Sequence, residues 1–286
     1  MEDYICVMSR SLSLPEKLAR NAENQQKAYA ELTKALAKND RAGRERAQAK
    51  IAELSAEYQR LADSLRFNEL EARESAAPRA RKPAKPLREQ ALDALDDIGA
   101  PAPPALIADL TAALTGIRPS PSRFASLKRD EENAARRNIS SRPAWVVPAI
   151  NASQLTAIPR LLTSSAWPLD RRIIGSRSMR TDNLRIAVNL SERLDQLREV
   201  GARQAIGLER LLFPIARAIP GGSEAGQPID TDRLRTAASA ELAILQEADD
   251  SERSTAAARL ASASTFHRLW GRPPILDTEA AGRAIR

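Results

Sequence analysis

The chain has 286 residues, enough for about two domains, and it is 43% apolar but only 3% aromatic. A composition dominated by alanine and leucine favours helices over sheets, so we expect a mainly α fold. The net charge of +7 indicates an acidic partner such as nucleic acid. A single cysteine, Cys6, and a single histidine, His267, exclude a disulfide framework and a Cys/His zinc site.

The sequence contains no run of apolar residues near the roughly 18 that a membrane span requires, and its first residues lack the apolar core of a secretory signal. We therefore expect a cytoplasmic protein that does not associate with a membrane. Glycine-rich phosphate loops and the hydrolase and metalloprotease motifs are also missing from the sequence. The sequence predicts no enzyme, no cofactor and no metal site.

Residues 1–74 are predicted to form a coiled coil or a helical hairpin, because helix-forming residues continue unbroken after Pro15. Apolar residues follow the 4-3 spacing of a coil in two runs: Tyr29, Leu32, Leu36 and then Ile51, Leu54, Tyr58, Leu61, Leu65. The two runs are out of phase, so either the coil stutters between them or the chain turns back, with Asp40 capping a second helix. Asp40 as a cap favours the hairpin.

The charges of residues 1–74 balance, so this segment is expected to pair with another helix and not with phosphate. Its partner is a second copy in a homodimer or another protein's helix, bound through residues 16–74. Residues 75–87 are predicted to be a basic, proline-rich linker. It is interpreted either as a solvated spacer or as a segment that lies along a phosphate backbone.

Residues 88–150 are predicted to form a compact unit of three helices. The first ends at Gly99 and the second at Gly116, while the third starts at Pro121 with Ser120 as its N-cap. At 100° per residue, the apolar side of the third helix carries Phe124, Leu127, Ala134 and Ala135. Its opposite side carries polar and basic residues: Ser122, Ser126, Arg129, Asn133, Arg136 and, beside them, Arg137.

Two features depart from this simple division. Glu131 falls on the apolar side, so either the helix has left the core there or Glu131 pairs with Lys128. The following stretch, AWVVPAI, is predicted to be a strand, which Pro148 restricts to a sheet edge or to the end of the strand. Residues 138–141 are a poor second strand, so the sequence leaves open whether a β-hairpin follows the helix.

Residues 151–286 are predicted to form a separate helical domain, beginning with a short capped helix over 151–162 that Pro159 interrupts. Asp249, Asp250 and Glu252 are expected in a solvated loop between two later helices. In the irregular stretch 167–180, Trp167, Ile173 and Ile174 are expected to anchor the chain while the basic residues Arg171, Arg172, Arg177 and Arg180 project. These arginines form either a second phosphate-contacting patch or a connector that pairs with acidic helices.

Three helices followed by an extended segment, over about residues 87–150, resemble a winged helix-turn-helix DNA-binding domain. The segments FASLKRDEENAARR and LLTSSAWPLDRRIIG also resemble parts of uncharacterised actinobacterial proteins with a helical N-terminus. The resemblance implies a major-groove face made of Ser122, Ser126, Arg129, Asn133 and Arg136. It places closer to the phosphates the residues Arg118, Arg123, Arg137 and Arg142.

The function expected from this resemblance is binding of double-stranded DNA, as a transcriptional regulator or an architectural factor that dimerises through its N-terminal helices. The alternative is a protein-interaction or scaffold protein, in which the small domain binds a protein and the coil assembles its partners.

Overall fold

A computed structural model describes residues 12–76 and 85–272 of the chain. It divides the chain into two compact units, of which the first comprises residues 1–75 with 224–228 and the second comprises residues 76–223 with 229–286. Helices dominate the described residues, as the composition predicts, and the mainly α fold class is confirmed. Most of the predicted basic linker lies outside the described residues.

The first unit is a helical hairpin of α1 (Leu14–Ala37) and α2 (Arg41–Ala76). The chain turns back between them, since the Asn21 side-chain amide donates to Glu57 Oε2 at 3.1 Å and the Gln25 amide donates to the Leu54 carbonyl at 3.2 Å. Asp40 caps α2, accepting a hydrogen bond from the backbone N–H of Gly43 at 3.0 Å. The coil therefore pairs within one chain, and the hairpin interpretation is correct.

The buried side of this hairpin differs in part from the predicted apolar runs. On α1 the buried positions are Asn21, Ala28 and Ala35. The larger residues Tyr29 and Leu36 are 53% and 55% exposed, and Tyr58 on α2 is 40% exposed. On α1, small side chains on the inside let the two helix backbones approach closely. On α2, Leu54 of the predicted run and Leu70 are buried, at 4% and 0% exposure.

The second unit contains the remaining described elements, with a short 3₁₀ turn (Asp170–Arg172) before its last strand. In chain order the helices and strands are α3 (Leu87–Ile98), α4 (Pro104–Thr115), α5 (Pro121–Arg137), β1 (Val146–Asn151), β2 (Ala157–Ser164), β3 (Ile173–Ile174), α6 (Ser178–Glu199), α7 (Gln204–Arg217), α8 (Thr231–Ala261) and α9 (Thr265–Trp270).

The three helices predicted over residues 88–150 begin and end where local sequence places them. Gly99 and Gly116 follow α3 and α4 with φ of +71° and +74°, the left-handed conformation that ends a helix and that glycine adopts without strain. Ser120 is the N-cap residue of α5 and Pro121 its first helical residue. This connection leaves residues 116–120 as the turn between α4 and α5.

The predicted helix over 151–162 is wrong, because these residues form a turn and most of strand β2. Asn151 Oδ1 accepts hydrogen bonds from the backbone N–H groups of Ser153 and Gln154, at 2.9 and 3.0 Å, and so closes the turn. The chain then runs antiparallel to β1. Pro159 lies in an irregularity of the pairing, where β2 carries extra residues and no ladder N–H is required.

The sheet has the order β2-β1-β3, so β1 is its central strand and not the lone edge that Pro148 suggested. Pro148 is tolerated in this central strand because β3 pairs only with Ile150 and Asn151. Pro148 therefore has no second neighbouring strand that would need its missing N–H. Ala102, between α3 and α4, adds an antiparallel bridge on the far side of β2, exchanging two backbone hydrogen bonds with Leu162.

One hydrophobic core joins residues that the sequence assigns to separate domains. Leu95, Ile107 and Phe124 from α3, α4 and α5 belong to the same buried cluster as Leu190 of α6 and Leu208 of α7. The expected boundary between residues 150 and 151 falls inside the β1–β2 hairpin. The three-helix segment and the helices that follow it are therefore a single folded unit over the described residues.

Candidate nucleic-acid interface

Helix α5 has the two faces that its sequence predicts. Phe124 and Ala135 are buried, and Leu127 and Ala134 pack half-buried against hydrophobic clusters. The opposite face is open to solvent over most of its length. The inner face thus fixes the helix to the core, and the outer face is the part that can meet a partner.

Glu131 is the residue that locks α5 in place. It is only 2% exposed, and its carboxylate pairs with Arg142 and lies 3.5 Å from the Nε of Arg88 on α3. The backbone N–H of Val146 also donates to Glu131 Oε2, at 3.4 Å. The expected pairing of Glu131 with Lys128 is wrong. Glu131 instead connects α5 to α3 and to the start of β1.

The same contacts correct the expectation for Arg142. Its guanidinium group is bound to Glu131 and lies 5.0 Å from the ring centroid of Trp145. Both interactions hold the residue against the protein. Arg142 therefore positions the chain after α5, and it is not available for phosphate in the way the resemblance implied.

Helix α5 exposes most of the residues predicted to meet DNA. On its outer face these are Ser122, Arg129, Asn133, Arg136 and, beside them, Arg137, and on its flank Arg123. Among the described residues, neither Arg123 nor Arg129 has an acidic partner, and the Nε of Arg137 only donates to the Asn133 carbonyl of its own helix, at 3.3 Å. Unpaired cations on a helix surface keep their full attraction for phosphate.

Other predicted residues are partly engaged by the protein. Arg136 pairs with Glu132 at 2.7 Å and lies over the ring of Phe266, while Arg118 pairs with Asp109 at 2.7 Å. The hydroxyl of Ser126 is half-buried and donates within its own helix to the carbonyls of Ser122 and Arg123. Exposed pairs of this kind are weak, so Arg118 and Arg136 can exchange a carboxylate for a phosphate at small cost.

The four arginines of the second predicted patch do not all project from the surface. Arg172 is 3% exposed, and its Nη2 donates to the carbonyls of Arg268 and Leu269 at 2.9 Å each. Burial lowers the pKa of Arg172 to about 10. The expectation that Arg172 projects into solvent is wrong.

Arg171 and Arg180 are also bound within the second unit. Arg171 donates two hydrogen bonds to the Gly99 carbonyl, at 2.9 and 2.6 Å, and stacks over the ring of Trp167; burial lowers its pKa. Arg180 binds the carboxylate of Glu241, and this hydrogen bond raises the pKa of Arg180. Arg171 and Arg177 are both exposed and neither forms an ion pair among the described residues, but Arg171 is held by the Gly99 carbonyl and Trp167, so Arg177 is the one of the four that remains for a partner.

A polar cluster between α6 and α8 was not expected from the sequence, which placed Asp249 in a solvated loop. Asp249 lies inside α8, fully buried, and accepts hydrogen bonds from the hydroxyls of Ser178 and Thr181 and from Arg253 Nε at 2.8 Å. Arg253 also donates to Asp182 at 2.6 Å. Burial works to raise the pKa of Asp249, but these hydrogen bonds and the Arg253 charge outweigh it and lower the pKa; burial raises the pKa of Asp182.

This cluster is structural, because its carboxylates are satisfied by the hydroxyls and the guanidinium group packed against them. Within residues 12–76 and 85–272, no group of three histidine, cysteine or acidic side chains could hold a metal ion. In the same ranges, no helix is both long enough and apolar enough to pass through a bilayer. The outer face of α5 is thus the strongest candidate site.

Comparison with protein-family models, with curated proteins and with solved structures found no match to this chain.

Proposed function

We propose that the protein binds double-stranded DNA through the outer face of α5, as a transcriptional regulator or an architectural factor. The observation that carries the proposal is the contrast between the two faces of this helix. Phe124 and Glu131 fix the inner face, whereas Arg129 stands exposed on the outer face and Arg123 on the flank of the helix, neither with an acidic partner among the described residues. A fixed helix with unpaired cations is suited to a rigid, charged ligand.

The order of elements supports the same proposal. Two helices joined by the turn at 116–120 are followed by a β-hairpin, and Ala102 bridges to the second strand of that hairpin. Helix-turn-helix proteins place the second helix of such a pair in the major groove, where its N-terminal residues meet base edges. With 17 residues, α5 is about 25 Å long, and the groove admits a helix of this kind.

Helix α5 carries side chains suited to the base edges of a duplex and others suited to its phosphates. Asn133 carries both a donor and an acceptor, so it can recognise a base edge, whereas Arg123, Arg129 and Arg137 provide charge for phosphates. The tip of the β1–β2 hairpin is not part of the proposed contact. The protein itself occupies this tip, because Arg259 reaches the carbonyls of Ala152 and Ser153 and the Arg272 N–H donates to the Leu155 carbonyl.

The test compares two double variants of the full chain that each lose two exposed arginines from helices. Arg123→Ala with Arg129→Ala removes two unpaired cations of α5, and Arg20→Ala with Arg46→Ala removes two exposed cations of the hairpin. Binding to a labelled duplex is measured by fluorescence anisotropy as salt rises from about 50 to 200 mM.

For the α5 variant we expect affinity to fall by about tenfold or more, and the slope of log affinity against log salt to shrink by about two. The hairpin variant should match the parent protein. Equal losses in both variants would show that only net charge matters, and no binding by the parent at low salt would overturn the proposal outright.

A protein-interaction function is the second candidate, favoured by the exposed Tyr29 and Leu36 of α1. In that case the full chain would assemble through α1 and bind no DNA at low salt. A homodimer is also compatible with DNA binding, because a two-fold pair would bring two copies of α5 to one duplex.

A further inference from the structure

The charged residues of α1 occupy a narrow part of its circumference. At 100° per residue they fall within an arc of about 120°. They are Glu16, Lys17, Arg20, Glu23, Lys27, Glu31 and Lys34. A helix that packs against one neighbour needs an uncharged stripe of only about 100°. The remaining arc of α1, roughly 240°, is wide enough for two neighbours, and α2 is one of them.

α2 covers one half of this uncharged arc, which includes the buried Ala28 and Ala35. The other half is exposed and forms what we call the outer seam. Its residues follow a strict 4-3 spacing and are Pro15, Ala19, Ala22, Gln26, Tyr29, Thr33 and Leu36. An alternating 4-3 repeat is the spacing that lets one helix coil against another. The outer seam therefore has the pattern of a second helix–helix contact.

We propose that the outer seam binds the outer seam of a second copy of this chain, with the two α1 helices antiparallel. This inference concerns self-association and does not rest on the DNA-binding proposal. The size order along the seam favours it, since the small residues Ala19 and Ala22 lie near its start and the large residues Tyr29 and Leu36 lie near its end.

Antiparallel pairing matches small side chains with large ones. In the register that pairs all six residues from Ala19 to Leu36, Ala19 faces Leu36 of the second copy, Ala22 faces Thr33, and Gln26 faces Tyr29. A parallel pair would place Ala19 and Ala22 against their own copies and leave voids at that end. Well-packed helix pairs avoid such voids, because each one forfeits dispersion contacts.

Charge at the border of the seam favours the same direction. Glu16 and Glu23 lie beside the seam in the first half of α1, and Lys34 lies in the second half, four residues after the small Ala30. In the antiparallel register, Glu23 is level with Ala30 and Lys34 of the second copy. Opposite charges at such border positions set the orientation of paired helices.

The first experiment measures association of the full chain by sedimentation equilibrium. The parent, with a mass of 31.3 kDa, should approach twice that mass as its concentration rises. Tyr29→Glu with Leu36→Glu should raise the dimer dissociation constant by about tenfold or more, because one aromatic and one aliphatic side chain of the contact become charged.

The matched control also adds two glutamates at exposed apolar positions of helices. Met179→Glu with Ile244→Glu changes side chains that are 79% and 80% exposed in the second unit, and it should leave the association unchanged. Circular dichroism checks that both double variants keep the helicity of the parent. A parent that stays monomeric, or equal effects of both variants, would overturn the proposal.

The second experiment tests the direction of pairing by disulfide formation in a Cys6→Ser background. Antiparallel helices keep Ala19 of the two copies about 26 Å apart, but place Ala19 beside Leu36. Ala19→Cys and Leu36→Cys should therefore cross-link when the two variants are mixed and not when each is alone, since a disulfide needs Cα atoms within about 7 Å. Cross-linking of each variant with itself would show parallel pairing and refute the antiparallel arrangement.

Discussion

Two arginine-rich segments of the second unit carry similar charge in sequence and are used in different ways. On α5, Arg123 and Arg129 are exposed with no acidic partner among the described residues. In the segment 171–180, Arg172 is buried, and Arg171 is bound to a backbone carbonyl. The first segment presents charge to solvent, and the second uses charge to hold the protein together.

The difference comes from partners that are distant in sequence. Arg172 binds carbonyls at 268 and 269, and Arg180 binds Glu241, in each case more than 60 residues away. A planar guanidinium group can satisfy several acceptors at once, so it is suited to joining loops to helix ends inside a protein. Charge density alone therefore does not distinguish a binding surface from a set of structural contacts inside the protein, whereas the burial of each arginine and its hydrogen-bond partners do.

The largest effect that would test this contrast is on stability. Arg172→Ala leaves the carbonyls of Arg268 and Leu269 without their donor and opens a cavity, so we expect the free energy of unfolding to fall by about 3 kcal/mol. Arg177→Ala, in the same segment but exposed, should change it by less than about 0.5 kcal/mol. Urea denaturation measures both free energies of unfolding. A similar loss for the two variants would contradict the distinction between a buried structural arginine and a surface arginine.

A smaller loss is expected at the anchor of α5. Glu131→Gln removes the buried charge that pairs with Arg142 and Arg88, and we expect a loss of about 2 kcal/mol, because these two arginines are partly exposed and can recover some hydration. Glu132→Gln is the matched control, because its pair with Arg136 is on the surface and contributes about 0.5 kcal/mol. If both substitutions lowered the free energy of unfolding equally, Glu131 would not be the residue that fixes α5 to the rest of the unit.

The parts of the fold that follow from sequence are those fixed by nearby residues. Helices α3, α4 and α5 end and begin at Gly99, Gly116 and Ser120–Pro121, because caps and glycine conformations act within a few residues. Asp40 caps α2 for the same reason. The two faces of α5 follow from helix geometry alone, which is why the candidate site could be predicted.

The parts that sequence missed depend on contacts across the chain. Strand β2 exists because β1 and Ala102 lie on either side of it, and Asn151, whose side chain suits a helix cap, instead closes a turn. Glu131 looked misplaced because its partners Arg88 and Arg142 lie outside α5. In the hairpin, periodicity identified a seam at Tyr29 and Leu36, but α2 packs on the adjacent small residues.

The smallest expected effect is on DNA affinity, and it compares one exposed arginine from each of the two arginine-rich segments. In the anisotropy titration, Arg177→Ala should change DNA affinity by less than about twofold and leave the salt slope unchanged, because the proposed contact is α5 alone. Arg129→Ala should reduce the slope by about one. Both residues are exposed and neither has an ion pair among the described residues, so the comparison removes equal charge from the two segments. A loss at Arg177 equal to that at Arg129 would mean that the DNA surface extends to residues 171–180, although Arg171, Arg172 and Arg180 are bound within the protein there.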